Sequence, residues 1–237
     1  MGNSSSLTNL SDSAVVLLSG GQDSTTALFW AKSQFQEVHT VTFNYGQRHK
    51  IEIESAARIL ALADIPMSNR NLINADVFSQ FDDSALLDKS SSISEQHRVG
   101  NLPASFVPGR NLIFLTLAAM YAFKHQIHNI VAGVCQTDYS GYHDCRQATI
   151  TSMQESLQQG MGFSFEIHTP LMHLTKADTV QFATLFDGCM EALAYSHTCY
   201  EGVYPPCDKC PACILRAKGF KEARVKDPLI ERFERGE

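Results

Sequence analysis

The sequence predicts an α/β protein built on a doubly wound, mostly parallel sheet, with a cysteine-rich segment near its C-terminal end. Short apolar, β-rich runs alternate with longer runs of helical periodicity, as in a sheet covered by helices on both faces. The first run ends in a Gly-Gly turn that opens directly into a helix. Four of the seven cysteines fall within fifteen positions, which marks off the C-terminal segment.

Residues 14–18, Ala-Val-Val-Leu-Leu, form the first strand, and helical character follows over 25–31. Residues 37–43 read as the next strand. The stretch 50–63 sets Ile53, Ala56, Ala57, Leu60 and Ala61 on a helical stripe closed by Ile65-Pro66. From 74 to 105 the chain is polar, serine-rich and weakly periodic, and an irregular insertion over one edge of the core is expected. Regularity returns with a helix over 112–124, whose stripe is read as core, and a strand over 129–134. A helix over 147–158 and a strand over 163–168 come next. Thr175-x-x-Asp178 is a capping pattern that opens a helix running to about 186. The organisation expected is a disordered extension over 1–13, a core over 14–195, a cysteine-rich segment over 196–219 and a tail over 220–237. Ligands of such sheets sit beyond the carboxyl ends of the strands, so chemistry is expected after Leu18, Phe43 and Val134.

Composition excludes several functions. With 19 Lys+Arg against 25 Asp+Glu the net charge is −6, so no nucleic-acid partner and no obligate DNA binder is expected. The longest nearly apolar run, 112–123, is broken by Thr116 and falls short of the ~20 residues that cross a bilayer, so no membrane partner is expected. The Met1-Gly2-Asn3-Ser4-Ser5-Ser6 start fits a loose myristoylation pattern, but a short extension without a lipid is expected. An odd cysteine count without a secretory pattern indicates a reducing, cytoplasmic setting. Cys135, Cys145 and Cys189 are read as small buried thiols.

Ser19-Gly20-Gly21-Gln22-Asp23-Ser24 carries the first chemistry. Two glycines turn the backbone and expose successive N–H groups at a helix N-terminus, which makes a phosphate cradle. The serine hydroxyls add donors, and Asp23 is suited to hold magnesium or to cap the helix. The lysine of a Walker A loop is absent, and no G-x-G-x-x-G occurs. The hexapeptide resembles the pyrophosphatase loop of enzymes that cleave ATP between its α and β phosphates. That resemblance implies ATP contacts at Leu18, Ser19, Gly20, Gly21, Gln22, Asp23, Ser24, Thr25, Thr26, Ala27 and Leu28, with magnesium accompanying ATP.

Three further stretches extend the likeness: Phe43-Asn44-Tyr45-Gly46-Gln47-Arg48-His49, Phe106-Val107-Pro108-Gly109-Arg110-Asn111, and the polar run from Gly133 to Arg146. With the cysteine cluster they resemble the 7-cyano-7-deazaguanine synthase family over residues 14–219. The resemblance implies an adenine nucleotide alpha hydrolase-like, Rossmann-like core and a carbon–nitrogen ligase of queuosine biosynthesis. Its substrates would be ATP, 7-carboxy-7-deazaguanine and ammonia, joined through an adenylated acid and an adenylated amide with release of AMP and pyrophosphate. Asp23, Arg110 and Lys176 are then the expected catalytic residues. Tyr45, Arg48, Asp138, Ser140, Tyr142, Asp144 and Arg146 are the expected substrate contacts, and a homodimer is implied. The alternative is a tRNA-modifying adenylating thiolase, whose cysteines would carry persulfide sulfur.

Cys207-x-x-Cys210-x-x-Cys213, preceded by Cys199, offers four thiolates among prolines. Two-residue spacings suit a tetrahedral structural zinc, and four protein thiolates leave no open position for chemistry. His197 or Cys189 would be the substitutes for Cys199 as fourth ligand. A ferredoxin-type cluster would need a fourth cysteine followed by proline, which is missing. Metal-bound cysteines are not persulfide carriers, and the tail from Arg216 to Glu237 mixes seven basic with five acidic residues, which also opposes a nucleic-acid-binding zinc module.

Overall fold

The computed structural model describes residues 13–46, 51–80, 105–137 and 142–237. Strands β1 (Ser13–Leu17), β2 (Glu37–Asn44), β3 (Arg70–Asn74), β4 (Asn129–Val131) and β5 (Glu166–His168) pair in the order β3-β2-β1-β4-β5. Every pairing is parallel, with Val15 opposite both His39 and Ile130.

Side chains of a strand alternate between faces, and here each face meets its own helices. Ala14, Val16, Leu18, Val38 and Val131 pack with α1 (Gln22–Gln34), α2 (Ile51–Leu62), α5 (Lys176–Ala183), α6 (Cys189–Leu193) and α7 (Pro211–Ala223). Val15, Val41, Phe43, Ile130 and Ile167 pack with α3 (Arg110–His125) and α4 (Gln147–Met161). The final helix, α8 (Pro228–Glu234), begins at an Asp227 N-cap that accepts from the Leu229 N–H. The doubly wound α/β sheet is therefore as the alternation predicts.

Some boundaries differ from the expectations. β4 stops at Val131 because the chain must turn under the first helix: a Cβ on Gly133 would come within 2.9 Å of the Asp23 and Ser24 backbone. β5 starts only at Glu166, since Phe163 instead stacks on His128 at 4.3 Å between ring centroids. The capping box of Thr175 and Asp178 forms as expected, but α5 ends at Ala183. β3 falls where no strand is expected, at the sheet edge and with no fully buried residue. Residues 76–80 make a 3-10 turn, and the greater part of the expected insertion, 81–104, lies outside the described residues, as do 1–12.

Two helices, α7 and α8, form where the sequence suggests only a metal segment and a tail, and α6 forms at the end of the expected core, where no helix is expected. α7 runs through position 219 and packs along α5 so closely that a Cβ on Gly219 would lie 2.5 Å from Cγ of Lys176. Arg216 of α7 is 4% exposed and ties this part together. It donates to both Asp227 oxygens (2.6 and 2.8 Å), to the Ser196 hydroxyl (2.8 Å) and to the Leu193 carbonyl (3.2 Å). Every donor of a buried guanidinium needs such partners.

Candidate active site

The strand order reverses between β1 and β4, where an open α/β sheet forms its ligand crevice. A cavity of about 900 Å³ opens there, at the upper end for small-molecule sites. Its floor is the loop after β1. The Ser19 and Ser24 hydroxyls lie 3.0 Å apart, and the Gly21 N–H donates to Ser19 Oγ (3.2 Å). The N-cap of α1 is Gly21, with no side-chain cap, so the helix's N-terminal N–H groups remain available to an anion. Gly20 has φ +86° and would carry a Cβ 2.3 Å from the Glu52 carbonyl oxygen, so glycine is required there twice over.

Asp23 does not cap α1. Both its oxygens accept from Lys176 Nζ, at 3.0 and 2.7 Å, across 153 residues of sequence. This pair sits on the cavity wall. Gln22 is 1% exposed, borders the same space, and its amide oxygen and nitrogen have no hydrogen-bond partner among the described residues. A buried amide left so is costly unless a ligand completes it.

The opposite wall is aromatic and cationic. Phe43, Tyr45, Phe114, Tyr142 and Tyr200 line it with Arg110. The Arg110 guanidinium lies 6.0 Å from the Tyr45 ring centre and 5.8 Å from that of Tyr142. Burial works against its charge, but Tyr45, Tyr142, Tyr200 and Asp144 outweigh burial and raise its proton affinity. Burial pushes the Tyr45 phenol up to about 12 against the opposing Arg110, and the Tyr200 phenol well above its usual range. Both are neutral hydrogen-bonding groups at neutral pH. Burial also raises the Glu52 carboxyl to about 7, with Arg110 opposing.

The structure thus brings together Leu18, Ser19, Gly21, Gln22, Asp23, Ser24, Tyr45, Arg110, Tyr142 and Lys176 on one cavity. Gly20 backs the loop against α2. Thr25, Thr26, Ala27 and Leu28 are fully buried in α1 and do not border the cavity. Asp144 stands behind the wall and accepts from the Asn111 N–H at 3.1 Å, fixing the start of α3. Arg146 is the N-cap residue of α4, off the cavity wall. Arg48, Asp138 and Ser140 lie outside the described residues.

Glu52, Tyr200 and Arg216 are among the wall residues that sequence reasoning missed. Glu52 had a signal: it precedes Ala56 and Ile59 by four and seven positions, which puts a carboxylate on the buried stripe of α2. Tyr200 had none beyond adjacency to Cys199.

Cys199, Cys207, Cys210 and Cys213 place their sulfurs within 4.8 Å of one another. Cys207 and Cys213 Sγ are 3.9 Å apart. Thiolates at ~2.3 Å from a tetrahedral metal are separated by roughly 3.8 Å, so the set fits such an ion. A hydrogen bond from Cys213 holds the Cys210 thiol down at about 5, toward the thiolate form that binds metal. Neither expected substitute takes part: Cys189 is buried in the core, and His197 points Nε2 at the Cys199 carbonyl (3.1 Å). All seven cysteines are free thiols. Cys199 and Tyr200 also border the cavity, so the metal segment forms one of its walls.

A glycine-turned loop and an uncapped helix N-terminus at the switch point, an Asp–Lys pair beside them and an aromatic–guanidinium wall opposite mark an ATP-using enzyme. The same arrangement of strands and helices recurs in a 4-thiouridine synthetase solved with RNA and bound ATP, at TM-score 0.50 and 16% identity over 88% of this chain and 53% of that one. The chain belongs to the family of the queuosine biosynthesis protein QueC, whose model matches residues 13–224. It is 50% identical over 224 residues to the 7-cyano-7-deazaguanine synthase of Chromobacterium violaceum, covering 93% of this chain and 94% of that one. The enzyme of the same name from Laribacter hongkongensis is 49% identical over 221 residues, covering 93% and 95%. Among the described residues no helix is long and apolar enough to cross a membrane.

Proposed function

We propose that the chain is a 7-cyano-7-deazaguanine synthase, a carbon–nitrogen ligase that forms a nitrile from 7-carboxy-7-deazaguanine and ammonia at the expense of two ATP. The observation that carries this reading is that the phosphate loop and the aromatic–guanidinium wall share one cavity of about 900 Å³. The loop suits the departing pyrophosphate, and the flat wall suits a bicyclic base carrying a carboxylate.

In this reading the substrate carboxylate attacks the α-phosphate of ATP and pyrophosphate leaves. Ammonia displaces AMP from the acyl-adenylate, giving the amide. The amide oxygen then attacks a second ATP, and loss of AMP leaves the nitrile. Ser19, Gly21, Ser24 and the α1 N-terminus hold the pyrophosphate, while magnesium travels with ATP near Asp23. Lys176 and Arg110 offset charge that develops on phosphate oxygens, a role worth about 10²–10³ in rate for one well-placed donor. Gln22 completes its amide hydrogen bonds on a ligand. Tyr45 and Tyr142 flank the base, with Arg48, Asp138 and Ser140 as further contacts and Asp144 and Arg146 supporting the wall.

Zinc on Cys199, Cys207, Cys210 and Cys213 is structural, since four thiolates leave it no open position. Residues 14–195 form the nucleotide-binding core and 196–219 the metal segment. The enzyme works in the cytoplasm, which its free thiols suit, and as a homodimer, which light scattering reads directly. Incubation with ATP, magnesium, ammonium and 7-carboxy-7-deazaguanine should yield AMP, pyrophosphate and the nitrile. Absence of all three, with AMP release stimulated instead by bulk transfer RNA, would sink the reading.

A further inference from the structure

Nitrile formation from a carboxylate and ammonia is a problem of removing protons from nitrogen, and none of the expected catalytic residues does it. Asp23 has both oxygens engaged by Lys176. His197 is turned to the Cys199 carbonyl beside the metal segment. The phenol of Tyr45 holds its proton too tightly. The remaining carboxylate on the cavity wall among the described residues is Glu52. Its backbone abuts Gly20, which sets the first turn of α2 against the Gly-Gly loop, and the residue borders the same cavity as that loop. No ion pair within 4.0 Å holds it among the described residues, while Arg110 from α3, Tyr45 after β2 and Tyr200 from the metal segment surround it electrostatically.

We propose that Glu52 is the proton acceptor for the reacting nitrogen in both halves of the reaction. The proposal rests on the nitrile-forming reading above. As ammonia bonds to the carbonyl carbon of the acyl-adenylate, the C–O bond to AMP breaks and AMP takes the electron pair. The excess proton on nitrogen passes to Glu52, leaving the amide. In the second half the amide oxygen displaces pyrophosphate from ATP, and one N–H proton is given up to solvent as a neutral imidate forms. Glu52 takes the last N–H proton as the C–O bond to AMP breaks and the C–N triple bond forms. Between steps Glu52 returns its proton to water. A base that titrates near neutral pH is suited to this cycle, and burial gives Glu52 that property at about 7.

The test uses the full, metal-loaded chain and its Glu52→Gln variant, with Glu52→Asp as a second variant and thermal melting as a check on folding. Without ammonium, exchange of labelled pyrophosphate into ATP driven by 7-carboxy-7-deazaguanine should persist in Glu52→Gln, because adenylation moves no nitrogen proton. Amide and nitrile formation should fall by about 10²–10⁴, mainly in kcat. The rise of rate with pH seen in the parent should be lost. Glu52→Asp should recover part of the rate. Wild-type amide formation in Glu52→Gln would overturn the proposal, and so would parallel loss of exchange and amide formation. If the parent protein itself shows no exchange, the nitrile-forming reading fails and this proposal falls with it.

Discussion

At the scale of single residues, Gly219 and Glu52 show how a side chain's worth depends on what lies across from it. Nothing in the sequence links Gly219 to Lys176, yet any Cβ at 219 meets the stem of that lysine. Gly219→Ala should push Lys176 off Asp23, lowering turnover more than stability, with an overpacking cost of about 1–3 kcal/mol. Steady-state kinetics beside a thermal melt measure both, and unchanged turnover would show that the lysine's placement is unimportant. Glu52 gives a pH prediction. Its folded carboxyl is raised from 4.5 to about 7, so the native state binds the extra proton and stability falls as pH rises between those values. The loss is about 3 kcal/mol at most, with Arg110 the counter-charge that limits it. Chemical denaturation across that window should show a decline in the parent and a flatter profile in Glu52→Gln. Of the candidate site's residues, the Gly-Gly loop was legible because its geometry is local, set by consecutive residues at the start of α1. The Asp23–Lys176 pair named two readable residues whose meeting is set by the packing of α5 and α7.

Elements that bury a full apolar face announce themselves, and those held by other means do not. β1, β2 and α3 were readable because their apolar residues sit in one core cluster or the other. β3 was not: its sequence Arg-Asn-Leu-Ile-Asn sits at the edge with one face open, so no pattern is imposed on it. α7 was hidden inside the cysteine spacing and is anchored by the buried Arg216–Asp227 pair rather than by a strong stripe. Arg216→Ala strands Asp227 and should cost about 3–5 kcal/mol, read from denaturant midpoints; a change within experimental scatter would contradict the anchoring role. The cysteine set behaves as an element too. Cys210→Ser should lose metal and lower the melting temperature, as elemental analysis and melting curves will record. Full zinc occupancy in that variant would remove Cys210 from the ligand set.

The whole molecule joins these parts around one crevice. The sheet supplies the switch point, α1 an uncapped N-terminus, α3 the guanidinium and the cysteine segment a wall, which places Tyr200, next to Cys199, on the cavity. With a net charge of −6, ATP in the proposed reaction needs a local cradle instead of a broad positive field. In the proposed reaction one cavity activates the same carbon twice by adenylation, and isotope transfer follows each oxygen to its product. With both carboxylate oxygens of 7-carboxy-7-deazaguanine labelled with heavy oxygen, mass spectrometry should find one labelled oxygen in each AMP released and none in pyrophosphate or nitrile. Label retained in the product, or appearing in inorganic phosphate in place of AMP, would contradict the account.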